Sequence, residues 1–306
     1  MKKIFALLII VVVAASCEQE IVLDIPPQPV KLVVNGVIRT STAFRVTVSK
    51  TTGVLDTLSP QGSIVNNALV YLYQNNVAID TLVYNAASGA YLVKANTRAV
   101  SGNTYLLKVS APGFTAVEGT STAPFNSSIQ SITRRINVRK DAGGNFLDEV
   151  KITFTDDAAG VNYYMFRVRQ PQYRGGNNVT YSNIYCMHST DRDIEGRESG
   201  DPTEFESCID EEFFLRDINF NGKAKEVVLF IRHSDLQPVP LSGNRDAKAI
   251  VELHSITADQ YRYRKSLNTY RDAEDNPFAE PVLIHGNIKN GYGVFLTYDL
   301  ARDTIR

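Results

Sequence analysis

The chain has no tryptophan, and only three cysteines, three methionines and four histidines among its 306 residues. The histidines, at positions 188, 233, 254 and 285, are scattered and make no HExxH zinc motif. No GxSxG nucleophile elbow, Gly-rich phosphate loop or CxxC pair is present either. Carboxylates do occur side by side, at Asp156-Asp157 and Asp210-Glu211-Glu212. Neighbours in an extended chain point to opposite sides, so these do not converge on one substrate atom. An excess of one charge is also missing. With 32 basic and 33 acidic residues the net charge is −1, which removes the electrostatic reason to expect a nucleic-acid partner. Finally, the apolar run Ile4–Ala15 has twelve residues, short of the roughly 20 that span a bilayer as a helix. These absences predict a protein that is not an enzyme, carries no cofactor and has no nucleic-acid partner.

What is present begins at the N-terminus. Lys2 and Lys3 precede the apolar run, and Ala14-Ala15-Ser16-Cys17 follows. A basic segment, a short apolar segment and a small-residue cleavage site make a secretory signal, expected to cover residues 1–16. The cleavage site resembles a bacterial lipobox, with Ala14 where a larger aliphatic usually stands. Its chemistry needs a cysteine, because the thiolate takes the lipid. Cys17 is therefore the expected lipidation site, and the mature chain would be held to a membrane by its lipids. The competing reading is an ordinary cleaved signal. Residues 17–30 would form a tether stiffened by Pro26, Pro27 and Pro29.

After that anchor two cysteines remain, Cys186 and Cys208. In an oxidising exported compartment an even pair reads as one disulfide, with a metal pair as the alternative. Between them the chain is acidic. From Asp191 to Glu212 there are ten acidic residues against two arginines. Gly196, Gly200 and Pro202 argue against regular structure there. Either this is a solvated loop, or it recognises a cationic partner through Asp191, Asp193, Glu195, Glu204 and Glu206.

Most of the remaining chain reads as strand, by Val, Leu and Ile content at 31–39 and by period-two alternation at 44–49. Lys31–Arg39, 44–49, 68–73, 77–84, 90–94, 104–110 and 114–122 predict seven strands, with Asn75-Asn76 and Gly102-Asn103 as turns. Ala123-Pro124 marks a boundary, dividing a sandwich over 31–124 from a second β-rich region over 125–306. The second region predicts strands at 128–139, 148–155, 163–170, 179–187, 225–233, 247–256 and 292–298. It also predicts one helix over about 258–272. Thr257 is its N-cap, and Tyr263, Leu267 and Tyr270 form its apolar face. The expected class is mainly β, with two antiparallel sandwich-like domains and a helix in the C-terminal half.

Two resemblances follow from particular residues. Asn67-Ala68-Leu69-Val70-Tyr71-Leu72, Gly89-Ala90-Tyr91 and Tyr105–Phe114 resemble the carboxypeptidase-regulatory-like and transthyretin-like sandwiches, which implies a fold without an activity. Phe214-Leu215-Arg216-Asp217, Asn221-Gly222-Lys223, the helix Asp259–Leu267, Asn276–Val282 and Asn287–Phe295 resemble a second family. That family is an uncharacterised, domain-of-unknown-function group of Bacteroidota outer-membrane lipoproteins, commonly encoded beside TonB-dependent receptors. The resemblance implies an outer-membrane location, a TonB-dependent receptor as partner and an accessory or ligand-binding role in nutrient uptake. A structural or adhesive surface module is the alternative.

One metal pattern remains. Asp217, Asn219 and Asn221, followed by Gly222, match the opening of a calcium loop, but Val228 stands where the closing glutamate belongs. The competing reading is a hairpin turning at Asn221-Gly222.

Overall fold

Thirteen strands join in one sheet that runs through both halves of the chain. The computed structural model describes residues 29–53, 60–175, 178–195, 208–209, 211–243, 245–274, 276 and 278–306. Val30–Thr52 and Thr57–Arg306 form one compact body. Cys17, the signal and most of the tether lie outside the described residues.

The seven strands expected in the first region are all present. They are β1 (Leu32–Arg39), β2 (Arg45–Lys50), β3 (Leu69–Gln74), β4 (Val77–Asn85), β5 (Ala90–Leu92), β6 (Thr104–Ser110) and β7 (Val117–Thr122). Their alternation puts Leu32, Val34, Val46, Val48, Val70, Leu72, Leu107 and Val109 into a shared core. Each such side chain, fully buried, contributes about 1.5–3 kcal/mol. Asn75 and Asn76 both have positive φ, as the tight turn between β3 and β4 demands. The buried Tyr91 hydroxyl donates to the Val65 carbonyl and accepts from the Ala68 N–H, so its polar end is satisfied inside the core.

The second region begins with β8 (Ile129–Lys140), β9 (Phe146–Thr155), β10 (Tyr163–Tyr173), β11 (Val179–Asn183) and β12 (Met187–Ser189). It continues with β13 (Phe213–Arg216), β14 (Ala224–Arg232), a small β15–β16 hairpin (Val239–Leu241, Arg245–Ala247) and β17 (Ile250–Ile256). Sheet β12-β14-β9-β8 supplies Val150, Ile152, Phe154, Val227 and Leu229 to the second core, and β10, β13 and β17 supply Phe166, Val168, Phe213, Leu215, Val251 and Leu253. The stretch 179–187, expected as one strand, is two. β11 pairs with β10 and β12 with β14, so the chain changes sheets at Ile184–Cys186.

The last strands tie the regions together. After β18 (Ile288–Lys289), β19 (Tyr292–Thr304) runs parallel to β1 from Tyr292 to Tyr298. From Tyr298 to Thr304 it runs antiparallel to β17. Phe295 lies in the first core and Ile305 in the second. The sandwich begun by residues 31–124 is thus completed by the C-terminus. Close approach there requires glycine. Gly293 has φ +102°, and a Cβ on it would stand 2.1 Å from the Val34 carbonyl oxygen.

One helix, α1 (Ala258–Glu274), covers the outer face of the sheet beside β10 and β17. The Thr257 hydroxyl accepts the Gln260 N–H at 3.1 Å, as the cap predicted. The packing face differs from the expected one. Tyr261 makes the contact, 5.0 Å from Tyr163 and 5.7 Å from Phe214 between ring centres, while Tyr270 is exposed.

Candidate functional site

The acidic segment and the calcium-like segment meet in space. Cys186 and Cys208 are joined by a disulfide, with Cα atoms 4.8 Å apart, inside the usual range. The chain that follows Cys186 folds back over the turn after β13. The Asn219 side-chain amide donates to Asp193 at 2.7 Å. The Lys225 ammonium bonds Asp191 at 2.8 Å and also bonds Asp193. Burial alone would raise the Asp193 pKa, but Asn219 and Lys225 outweigh it and hold the carboxyl below its usual value. Lys225 answers in kind. Burial pulls its pKa down, and the two aspartates leave it raised.

Glu195 is equally engaged. It accepts from Arg216 at 2.6 Å and from the Tyr261 hydroxyl, with Lys265 at 3.5 Å. Burial first, and then Glu195, raises the Tyr261 pKa. Three of the five acids expected to face a partner, Asp191, Asp193 and Glu195, are therefore tied to the protein itself. The other two, Glu204 and Glu206, lie outside the described residues. A shallow hollow of about 300 Å³ remains between Arg192, Glu195, Arg216 and Asn219.

The calcium-like residues do not surround one point. Asp217 is buried and accepts the Asn162 backbone N–H at 3.0 Å. Asn219 is committed to Asp193, and Asn221 is exposed. The hairpin alternative is also corrected. β13 belongs to one sheet and β14 to the other, so residues 217–223 are a crossover opened by a short 3-10 turn.

A charged cluster that sequence reading missed lies on β10, β17 and β19. Glu252, 3 % exposed, accepts from Arg302 and from Arg169 at 3.4 Å, with His254 at 3.6 Å. Burial opposes its ionisation, yet His254 and Arg302 bring its pKa down to about 2. His254 is only 5 % exposed, and burial lowers its pKa. The signal in the sequence was the alternation of Val251 and Leu253 with Glu252 and His254, which marks a second face. It could not reveal that the Tyr298 ring stacks on His254 there.

A different site lies where β19 passes from one core to the other. The turn after β1, residues 126–129 and residues 299–303 of β19 surround a groove of about 450 Å³. A second hollow of about 390 Å³ shares Ser41 and Asn126 with it. Its walls are held by backbone bonds. The Ser41 N–H donates to the Ala99 carbonyl at 2.7 Å, and the Thr40 N–H to the Tyr298 carbonyl at 2.8 Å. Ser41 has φ +64°, an uncommon conformation for a residue with a Cβ. The Thr40 hydroxyl donates to Asp299, and the Ser101 hydroxyl to Asn126. None of these residues was singled out from the sequence, because they are ordinary turn and strand residues until the fold gathers them.

The family model described as a domain of unknown function (DUF4249) matches residues 18–304, and the chain belongs to that family. No curated protein matches it.

Proposed function

We propose that this family member is a lipid-anchored protein of the bacterial outer membrane. In this reading it acts without catalysis, as an accessory or ligand-binding partner of a TonB-dependent receptor in nutrient uptake. The observation that carries the reading is an order along the chain. Lys2-Lys3, a twelve-residue apolar run and Cys17 come first, and the family match begins at residue 18. A lipid on Cys17 would hold the whole family domain near a membrane, at a distance set by a short Pro-rich tether.

The distribution of charge supports a binding role over a chemical one. Carboxylates with a lowered pKa owe it to internal partners, Glu252 to His254 and Arg302, and Asp193 to Asn219 and Lys225. Large apolar side chains, by contrast, stand open to solvent after α1. Phe278 is 93 % and Leu283 90 % exposed, in the stretch that carries much of the family resemblance.

Co-purification from detergent-solubilised membranes tests the proposal. The wild-type protein is expected to bring down a TonB-dependent receptor. Cys17→Ala is expected to leave the membrane fraction, or to remain unprocessed, and to lose the receptor. Recovery of wild type without any receptor sinks the partnership. Cell–cell clumping that depends on the protein, with no receptor in the eluate, would favour the adhesive alternative.

A further inference from the structure

The groove at the crossing of β19 has an unusual balance of groups. Asp299 is 8 % exposed. One of its carboxylate oxygens takes the Thr40 hydroxyl, and the other has no hydrogen-bond donor among the described residues. Arg39, across the groove, has an exposed guanidinium with no ion pair or hydrogen bond among the described residues. Arg302 is already paired with Glu252, and Arg98 with the Ser41 carbonyl. The Asn126 side-chain oxygen is filled by Ser101, which leaves its NH₂ as a donor.

This set does not suit a charged ligand. An anion drawn to Arg39 would face the Asp299 and Asp303 carboxylates, and a cation drawn to Asp299 would face Arg39 and Arg302. A ligand of neutral hydroxyl groups meets no such conflict, because each hydroxyl both donates and accepts. It gives a donor to Asp299, acceptors to Arg39 and Asn126, and strands no charge. Ile129 adds apolar wall for the C–H face of a ring, and Ala99 and Val100 line the adjoining hollow. The volumes fall within the roughly 300–1,000 Å³ of small-molecule sites, which favour junctions between folded units. Because its walls are already hydrogen-bonded, the groove has little ordering left to do on binding.

We propose that this groove binds an uncharged polyhydroxylated ligand, the end of a saccharide. The inference rests on the groove alone and does not depend on the receptor partnership. Calorimetry on the purified lipidated protein tests it, without receptor and in a polyoxyethylene detergent that carries no sugar. The probes are maltose, cellobiose, lactose and diacetylchitobiose, with glycine and inorganic phosphate as charged comparators. At least one disaccharide is expected to bind with millimolar or better affinity. Arg39→Ala should weaken it about ten-fold, the loss of one charge-assisted hydrogen bond. Ser128→Phe, placed at an exposed groove position, should abolish binding, and both variants should melt like wild type. The proposal is overturned if no disaccharide binds, or if binding survives both substitutions. It is also overturned if glycine or phosphate binds instead and depends on Arg39. A receptor missing from the membrane pull-down would leave the saccharide result intact, and the converse holds equally.

Discussion

The ammonium of Lys225 lies 2.8 Å from the Oδ1 of Asp191. The same ammonium bonds Asp193, so one internal cation neutralises both carboxylates. The melting temperature of the wild-type protein is therefore expected to ignore both calcium and EDTA. Lys225→Ala should leave two largely buried aspartates without their counter-charge, at a cost of about 2–4 kcal/mol. Millimolar calcium should restore part of that loss. Thermal melts of both proteins with and without calcium check this, and a wild type destabilised by EDTA would contradict it.

Glu252 makes the fold sensitive to acid. Its folded pKa is about 2, below the ordinary value of 4.5. Between those values the unfolded chain binds the extra proton, so the stability supplied by Glu252 is full above about pH 4.5 and is lost as pH falls toward 2. The contribution is on the order of 3 kcal/mol. Glu252→Gln should be less stable at neutral pH, since Arg169 and Arg302 lose their carboxylate. It should also lose stability less steeply below pH 4.5. Urea unfolding across that range would show the two slopes, and parallel slopes would refute the assignment.

The Cys186–Cys208 bridge closes a loop with a sequence separation of 22. It pins the chain where it changes sheets, between β11 and β12. Replacing both cysteines with serine should cost about 3 kcal/mol on the chain-entropy account. Denaturant unfolding of the double variant measures it. A loss well under 1 kcal/mol would mean that the pairing of Ile209 with Met187 holds the loop without the bridge.

The acidic segment should split in two by experiment. Asp193→Lys places a cation against Lys225 and is expected to lower the melting temperature. Glu204→Lys with Glu206→Lys is expected to leave it unchanged and to reduce partner recovery at low salt. Pull-downs at low and high salt, paired with melts, separate the halves. Equal recovery of the double variant at both salts would move the contact to Phe278 and Leu283.

Much of the fold was legible along the chain. The Val, Leu and Ile content of 32–39 marks β1, and Leu32, Val34 and Ile38 alternate with less buried neighbours because one side of the strand faces a core. Thr257 marks the start of α1 because its hydroxyl caps a free N–H. Asn75-Asn76 marks a turn because both residues tolerate positive φ. Other readings failed for a shared reason. Residues 179–187 look like one strand because both pieces have strand composition, and only pairing separates them. The burial of His254 was not legible because the Tyr298 ring stacked on it lies far along the chain. Tyr261 replaces Tyr263, Leu267 and Tyr270 as the packing residue because Tyr163 and Phe214 happen to lie beneath it.

The sequence by itself determined what depends on neighbours within a few residues. That includes the strand composition, the capped helix and the pair of cysteines, Cys186 and Cys208, that form the disulfide. Tertiary structure alone decided what depends on residues far apart. It placed β19 beside β1 and joined two cores with one strand. It turned Asp191, Asp193 and Glu195 inward onto Lys225, Arg216 and Tyr261, and it gathered Arg39, Asn126 and Asp299 around one groove. The physical reason is range. Periodicity and capping report on the next turn or the next pleat, whereas a hydrogen-bond ladder or an ion pair requires only that two groups meet in space. Val33 and Tyr292 meet in that ladder with most of the chain between them.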